Sequence, residues 1–459
     1  MVDSSVGTGD KIQFALTAGM LVGALALGGG QGGLGDTFVQ LWALGLIGYL
    51  FAGSPPLGRL LLSWQSPGWL VLVALAVPLL QALPLPAWIG GGGEQGRGLL
   101  VPQLTTVGLT LTSSISVQAL AAERALWTLL PGVAIYLSAL TMSNELQRRL
   151  LGIVLFLAFA GLVLGLMQVA DGADSALRLY SNTNRMDAVG FFANRNHLAA
   201  LLLAVLPLSL AAVAWVISER AAGTPVSPIV VAGFVGLSVM LILGIALTRS
   251  RAGLLLGMFG LLLSAPMVLS MRRRRGVKRV FGIILTLSLL LTIQFALFGI
   301  LQRLQADPLG DQRWQIADLT VEAARQNAPL GSGLGSFRQV FQSFDTQAPG
   351  TGIVNHAHND YLELWLEAGW PFVAAATILI GLAAWAAFGA WRSTDARSSL
   401  LAKAASISLL LVLLHSSLDY PLRTTAHQAV FALLLAVLLS WRWRMRAITA
   451  DVQSTKGIS

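Results

Sequence analysis

Residues 150–170 read LLGIVLFLAFAGLVLGLMQVA, a run of twenty-one with one polar side chain, Gln168, and no charge. As a helix it rises roughly 30 Å, the thickness of bilayer hydrocarbon, where no water can satisfy a backbone that is not helical. The run therefore reads as a membrane-spanning helix, and the rest of the chain resembles it in composition. Of 459 residues, 55% are hydrophobic and 11% charged, and the mean hydropathy is +0.72. That exceeds what a soluble core uses, so the chain is a polytopic membrane protein. It has no cysteine, which excludes disulfides, thiol catalysis and cysteine-ligated metals.

Extending the same reading gives about twelve spans: 13–29, 38–53, 67–85, 125–142, 150–170, 197–217, 228–248, 252–270, 280–301, 369–390, 404–420 and 427–441. The expected fold is an all-α integral membrane protein with a large, partly helical outer loop. Four regions follow: 1–124 with the first helices and first long loop, 125–301 with the central helices, the loop 302–368, and the C-terminal helices and tail 369–459. Met1 to Lys11 is polar and lacks a signal-cleavage pattern, so the first apolar run is expected to be a retained helix.

The net charge of +9 raises the question of nucleic acid, but its distribution fits membrane topology instead, and no nucleic-acid partner is expected. With the N-terminus inside, eighteen of the thirty basic residues fall on the cytoplasmic side, among them Arg272 to Arg275 beside anionic membrane lipid. Both termini are then cytoplasmic. The twelve outward basic residues, Arg313 and Arg423 included, are all arginine, whose planar fork suits phosphate oxygens.

One outer stretch is unusually polar: Asn355-His356-Ala357-His358-Asn359-Asp360-Tyr361-Leu362-Glu363, running on through Glu367 to Gly369. Asp360 and Glu363 have capping-box spacing, which puts His358 and Asn359 at a helix N-terminus. Free amides and the positive end of the dipole favour an anion there and disfavour imidazolium, leaving His358 able to accept a proton. A loop-to-helix cap with surface histidines is the plain alternative. His356, His358 and Asp360 offer metal-type donors, but their alternation suits a strand and no second cluster completes a shell, so no metal is expected.

Three further clusters lie at outer helix ends. They are Phe191-Phe192-Ala193-Asn194-Arg195-Asn196-His197, the turn Thr248-Arg249-Ser250-Arg251, and His415 with Asp419, Tyr420 and Arg423. Each also has a structural reading: interfacial snorkelling for Arg249 and Arg251, a cap network for Arg195, and packing for His197 and His415. The run Gly331 to Gly335 reads as a turn or hinge rather than a phosphate loop, because no lysine follows it.

His358-Asn359 with Gly369, together with the two arginine clusters, resembles the bacterial O-antigen ligase and polymerase superfamily over residues 180–425. The resemblance implies a GT-C-like, metal-independent, inverting glycosyltransferase of the bacterial inner membrane that needs no cofactor. The implied donor is a glycan on undecaprenyl diphosphate at the periplasmic face. The implied acceptor is a saccharide, for an O-antigen or exopolysaccharide polymerase, or lipid A core, for a ligase. The Phe-x-Asn-Arg-Asn-His form leans to a polymerase. By the same carry-over Arg195, Arg249 and Arg251 are expected to grip the diphosphate and His358 to help activate the acceptor hydroxyl, so His358, Arg249 and Arg195 are the catalytic candidates; Arg251, Asn194, Asn196, His356, Asn359, Asp360, Arg313 and Arg423 are the substrate-binding candidates. Polysaccharide-assembly proteins are possible partners. A polysaccharide flippase also has about a dozen spans and remains a rival, but it should carry charges deep within its helices.

Overall fold

The structure is a computed structural model and describes residues 7–30, 33–53, 66–85, 119–269, 309–345 and 354–456, with a few isolated positions between them. The helices are α1 (Thr8–Leu27), α2 (Leu34–Gly53), α3 (Leu70–Ala82), α4 (Ala119–Thr141), α5 (Asn144–Ala170), α6 (Arg195–Ala221) and α7 (Pro228–Leu247). They continue with α8 (Arg251–Leu269), α9 (Leu309–Gln326), α10 (Phe337–Phe344), α11 (Asp360–Arg392), α12 (Ala396–Ser416) and α13 (Thr425–Lys456). In the first long loop, Pro84–Leu85 pairs antiparallel with Ser113–Ser114.

Ten helices among the described residues are long and apolar enough to cross a membrane. The expected span at 67–85 is a shorter apolar helix, Pro67–Ala82. The one expected at 280–301 lies largely outside the described residues. The 150–170 run is the greater part of α5, whose N-cap Ser143 accepts a hydrogen bond from the Leu146 amide.

The spans run up and down, so alternate helix ends meet. α6 and α13 are the inner helices, with Leu198 to Leu206 of α6 wholly buried. α6 packs on α7, α8 and α12, and α13 lies along α4. By contrast, α7 and the later part of α11 leave most of their apolar surface exposed, as expected of lipid-facing helices. At one end, Gln13 donates to the Ser138 carbonyl and hydroxyl at 3.0 and 3.1 Å, Arg444 reaches Gln147 at 3.0 Å, and Arg397 pairs with Glu219. The arginine clusters and the histidines gather at the other end.

Candidate functional site

Gln168, the one polar residue of the opening stretch, begins the construction of the site. Its amide donates to the Gly190 carbonyl at 2.9 Å and accepts from the Gly190 amide at 2.9 Å, clamping the segment that carries Asp187. Asp187 is buried, with 8% of its side chain exposed, and Arg195 Nη1 lies 2.8 Å from one of its oxygens. Arg249 Nη1 lies 3.7 Å from the other. One carboxylate thus gathers guanidinium groups from the start of α6 and from the α7–α8 turn. The two arginines remain 38% and 57% exposed and leave one positive charge in excess, so the pair keeps donors for an outside anion. Arg249 adopts φ 54°, an uncommon backbone for a side-chain-bearing residue and a mark of a constrained site.

The histidine loop is built on α11. Asn359 is the N-cap, its Oδ1 accepting from the amides of Tyr361 and Leu362 at 3.0 and 3.1 Å. The cap is therefore Asn359 and not Asp360, because both carboxylates of the expected capping box are used elsewhere. Glu363 Oε2 accepts from the Ala357 amide at 2.9 Å, and Oε1 lies 2.9 Å from His356 Nδ1. Arg423 lies among Glu367, Glu363 and Asp360 at 2.7, 3.4 and 3.8 Å. Burial alone favours a neutral guanidine, but the carboxylates of Glu363, Glu367 and Asp360 hold Arg423 above its ordinary value, so it stays charged. Held this way, His358 takes φ 50°.

His358 Nδ1 lies 3.2 Å from Asp419 Oδ1, just beyond the end of α12. Burial of Asp419 favours its protonated form. The hydrogen bond from His358 and the neighbouring imidazoles of His197 and His415 outweigh that and hold the carboxyl well below the usual carboxylate range. An ionised Asp419 accepts from Nδ1–H, which leaves Nε2 as the nitrogen able to take a proton.

Tyr420 joins the two halves. Its ring stacks on His356 at 4.1 Å and meets His358 and His197 edge-on at 5.1 and 5.0 Å. Burial, reinforced by the Asp419 charge, pushes the Tyr420 hydroxyl up to about 12, so it is neutral. The first arginine cluster and the histidine loop are therefore in one contiguous network.

Gly369 closes the site from behind. It sits at φ 59°, ψ −150°, where α11 kinks, a region open only to glycine. A Cβ there would lie 2.2 Å from the Pro329 carbonyl oxygen. The kink frees the carbonyls of Leu366 and Glu367, which accept from the amides of Ser332 and Gly333 at 2.9 and 2.8 Å. Gln81 of α3 adds a staple, donating to the Glu367 carbonyl at 2.9 Å and accepting from the Leu334 amide at 3.0 Å. The Gly331 to Gly335 run is thus a strap docked on the kink.

Residues 235–377 match the family model described as O-antigen ligase. The match supports the O-antigen ligase/polymerase superfamily. The match takes in Arg249, Arg251, His356, His358 and Gly369, and Arg195 lies before it. No curated protein matches the chain.

The expected site residues are distributed unevenly. Arg195, Arg249, Asn194, His356, His358 and Asn359 converge, Asn359 also donating to the Ser417 carbonyl at 3.0 Å. Asn196 and Arg251 stand in the first turns of α6 and α8. Arg313 of α9 donates to the Leu418 carbonyl at 3.3 Å, beside Asp419. Asp360 and Arg423 are turned inward. Asp360 is buried against Arg423 and accepts from the Leu422 amide at 3.2 Å, so both serve the scaffold of the histidine loop. Sequence reasoning missed Asp187, Glu363 as a loop anchor, Gln81 and His427. The last is buried, its Nε2 3.0 Å from the His197 carbonyl oxygen.

A crevice of about 1210 Å³ opens on the His356 and Arg423 side of the site, between α3, α4, the later part of α11 and α13. Its walls are mostly apolar, with Val77, Leu129, Leu379 and Phe431 among them.

Proposed function

We propose that this O-antigen ligase-type membrane enzyme transfers a glycan from undecaprenyl diphosphate to an acceptor sugar at the periplasmic face of the inner membrane, acting as a polymerase, with both termini cytoplasmic. The observation that carries this reading is the approach of two arginines to Asp187 within one network with an Asp419-oriented histidine. Arg195 and Arg249 hold the donor's diphosphate. His358 Nε2 takes the proton of the acceptor hydroxyl as its oxygen attacks the anomeric carbon. The bond from that carbon to the phosphate oxygen breaks, its electron pair leaves with the lipid diphosphate, and the configuration inverts. Guanidinium charge stabilises the leaving group and Asp419 stabilises the imidazolium that forms. Diphosphate leaves readily, so neither metal nor nucleotide enters the scheme.

Arg251, Asn194, Asn196, His356 and Asn359 line the donor and acceptor approach in this reading. The ionisable groups stand at helix ends and in the outer loop, which supports a transferase over a flippase. The matched family's description favours the second reading, a ligase that delivers the glycan to lipid A core. Incubating the purified chain with an undecaprenyl-diphosphate oligosaccharide, with and without lipid A core, separates the two. Lengthened lipid-linked chains support the polymerase, glycan on the core supports the ligase, and no transfer under either condition contradicts both.

A further inference from the structure

We propose that the crevice between α3, α4, α11 and α13 is a second lipid site, which holds the acceptor by a single long hydrocarbon chain and reads its phosphate with Arg124 and Arg338. This deepens the transferase reading and rests on it.

The crevice and the Asp187 arginine pair lie on different sides of one wall. His356, Asp360, Glu363, Glu367 and Arg423 line the crevice, whereas Arg195, Arg249, Asp187 and His358 do not. The His356 ring, stacked on Tyr420 at 4.1 Å, forms the wall at that point. A ligand in the crevice therefore reaches the histidine loop from the side opposite the two arginines. Glycosyl transfer needs two substrates at one reactive centre. A donor on Arg195 and Arg249 leaves this side for the acceptor.

Chemistry identifies the ligand. The trunk of the crevice is hydrocarbon supplied by helices that also face the membrane, so an apolar chain gains dispersion contacts there at no cost in buried polar groups. Arg423 is already matched by three carboxylates. Arg124, on α4, and Arg338, on α10, also line the crevice and have no ion-pair or hydrogen-bond partner among the described residues. Gly335 brings these two helices together, a Cβ on it lying 3.4 Å from that of Ala121. Two uncommitted guanidinium groups beside an apolar trunk match an anionic headgroup on a lipid, bidentate phosphate above all. A crevice of about 1210 Å³ bounded by four helices has room for one long hydrocarbon chain.

The experiment uses the full-length protein in nanodiscs and a single-chain lipid phosphate bearing a photoreactive diazirine near its terminus. Labelled peptides from α3, α4 and the later part of α11, with labelling reduced about tenfold in the Arg124→Gln/Arg338→Gln variant, are expected. Labelling spread evenly over lipid-facing helices such as α7, or unchanged in the double variant, overturns the site. In transfer assays the same variant is expected to raise the acceptor KM about tenfold and leave the donor KM alone. A raised donor KM with an unchanged acceptor KM reverses the assignment. Better competition by a multi-acyl phosphorylated glycolipid overturns the single-chain class. The transferase reading fails separately, through full activity of Arg249→Ala, and crevice labelling does not depend on that result.

Discussion

Gly369→Ala tests whether the strap holds the histidine loop. An alanine at φ 59°, ψ −150° costs about 1–3 kcal/mol in backbone strain alone. Its Cβ would also lie 2.2 Å from the Pro329 oxygen and 2.6 Å from the Gly331 nitrogen, so the strap must move. Three backbone hydrogen bonds stand in its path: Trp370 to Pro329 at 2.8 Å, Ser332 to Leu366 at 2.9 Å and Gly333 to Glu367 at 2.8 Å. Losing two of them adds about 2 kcal/mol, giving about 3–5 kcal/mol in all. The damage is local, because the α4–α13 and α6–α12 packing lies elsewhere. The variant should insert in the membrane and yet lose most transfer activity, since Glu367 anchors both the strap, through the Phe337 amide at 3.0 Å, and Arg423 at 2.7 Å. Limited proteolysis should open the chain near residues 326–336 well below the global unfolding temperature. Gly381→Ala, on the same helix with nothing within 4 Å of its Cβ, is the control and should be neutral. A Gly369→Ala protein as protease-resistant and active as the parent refutes the reasoning.

Other outcomes follow from the same geometry. His358→Ala and Arg249→Ala should each lower kcat by about 10²–10⁴ without loss of folded protein, measured as glycan transfer per mole of monodisperse enzyme. Asp187→Asn removes the shared carboxylate and should raise the donor KM through misplacement of both arginines, read by initial rates over a donor titration. Tyr420→Phe keeps the His356 stack and removes only the hydroxyl, so its activity should fall far less than that of Tyr420→Ala. Asp419 has a folded pKa below its unfolded value, so its stabilising contribution is complete above the ordinary carboxylate range and is lost only as pH falls through the folded value. Asp419→Asn should therefore lower the unfolding free energy at neutral pH, with the gap closing only in strong acid.

The spans were legible because apolar length is a one-dimensional signal, and the site's anchor points were legible because arginine and histidine are conspicuous at the ends of such runs. What binds them together was harder to see. Asp187 lies in a loop far in sequence from Arg249, and nothing local marks it as their shared counter-ion. Asp360, Glu363 and Glu367 do have helical spacing that places them on one face, which predicts a common partner without naming Arg423. The one-residue shift of the cap from Asp360 to Asn359 arises because Arg423 draws the acids inward, a tertiary effect that local capping rules do not contain. The glycine at 369 was recognisable as part of a pattern, but its purpose, to let the strap pass within van der Waals range of the kink, needed coordinates.

The most direct measurement of the central claim is a structure of the full-length protein with a non-transferable glycosyl-phosphonate analogue of the lipid diphosphate. The account predicts phosphorus density within hydrogen-bond reach of both Arg195 and Arg249, with the anomeric carbon turned toward His358. Density bound elsewhere, with Asp187 still holding the two arginines and no anion near them, would contradict it.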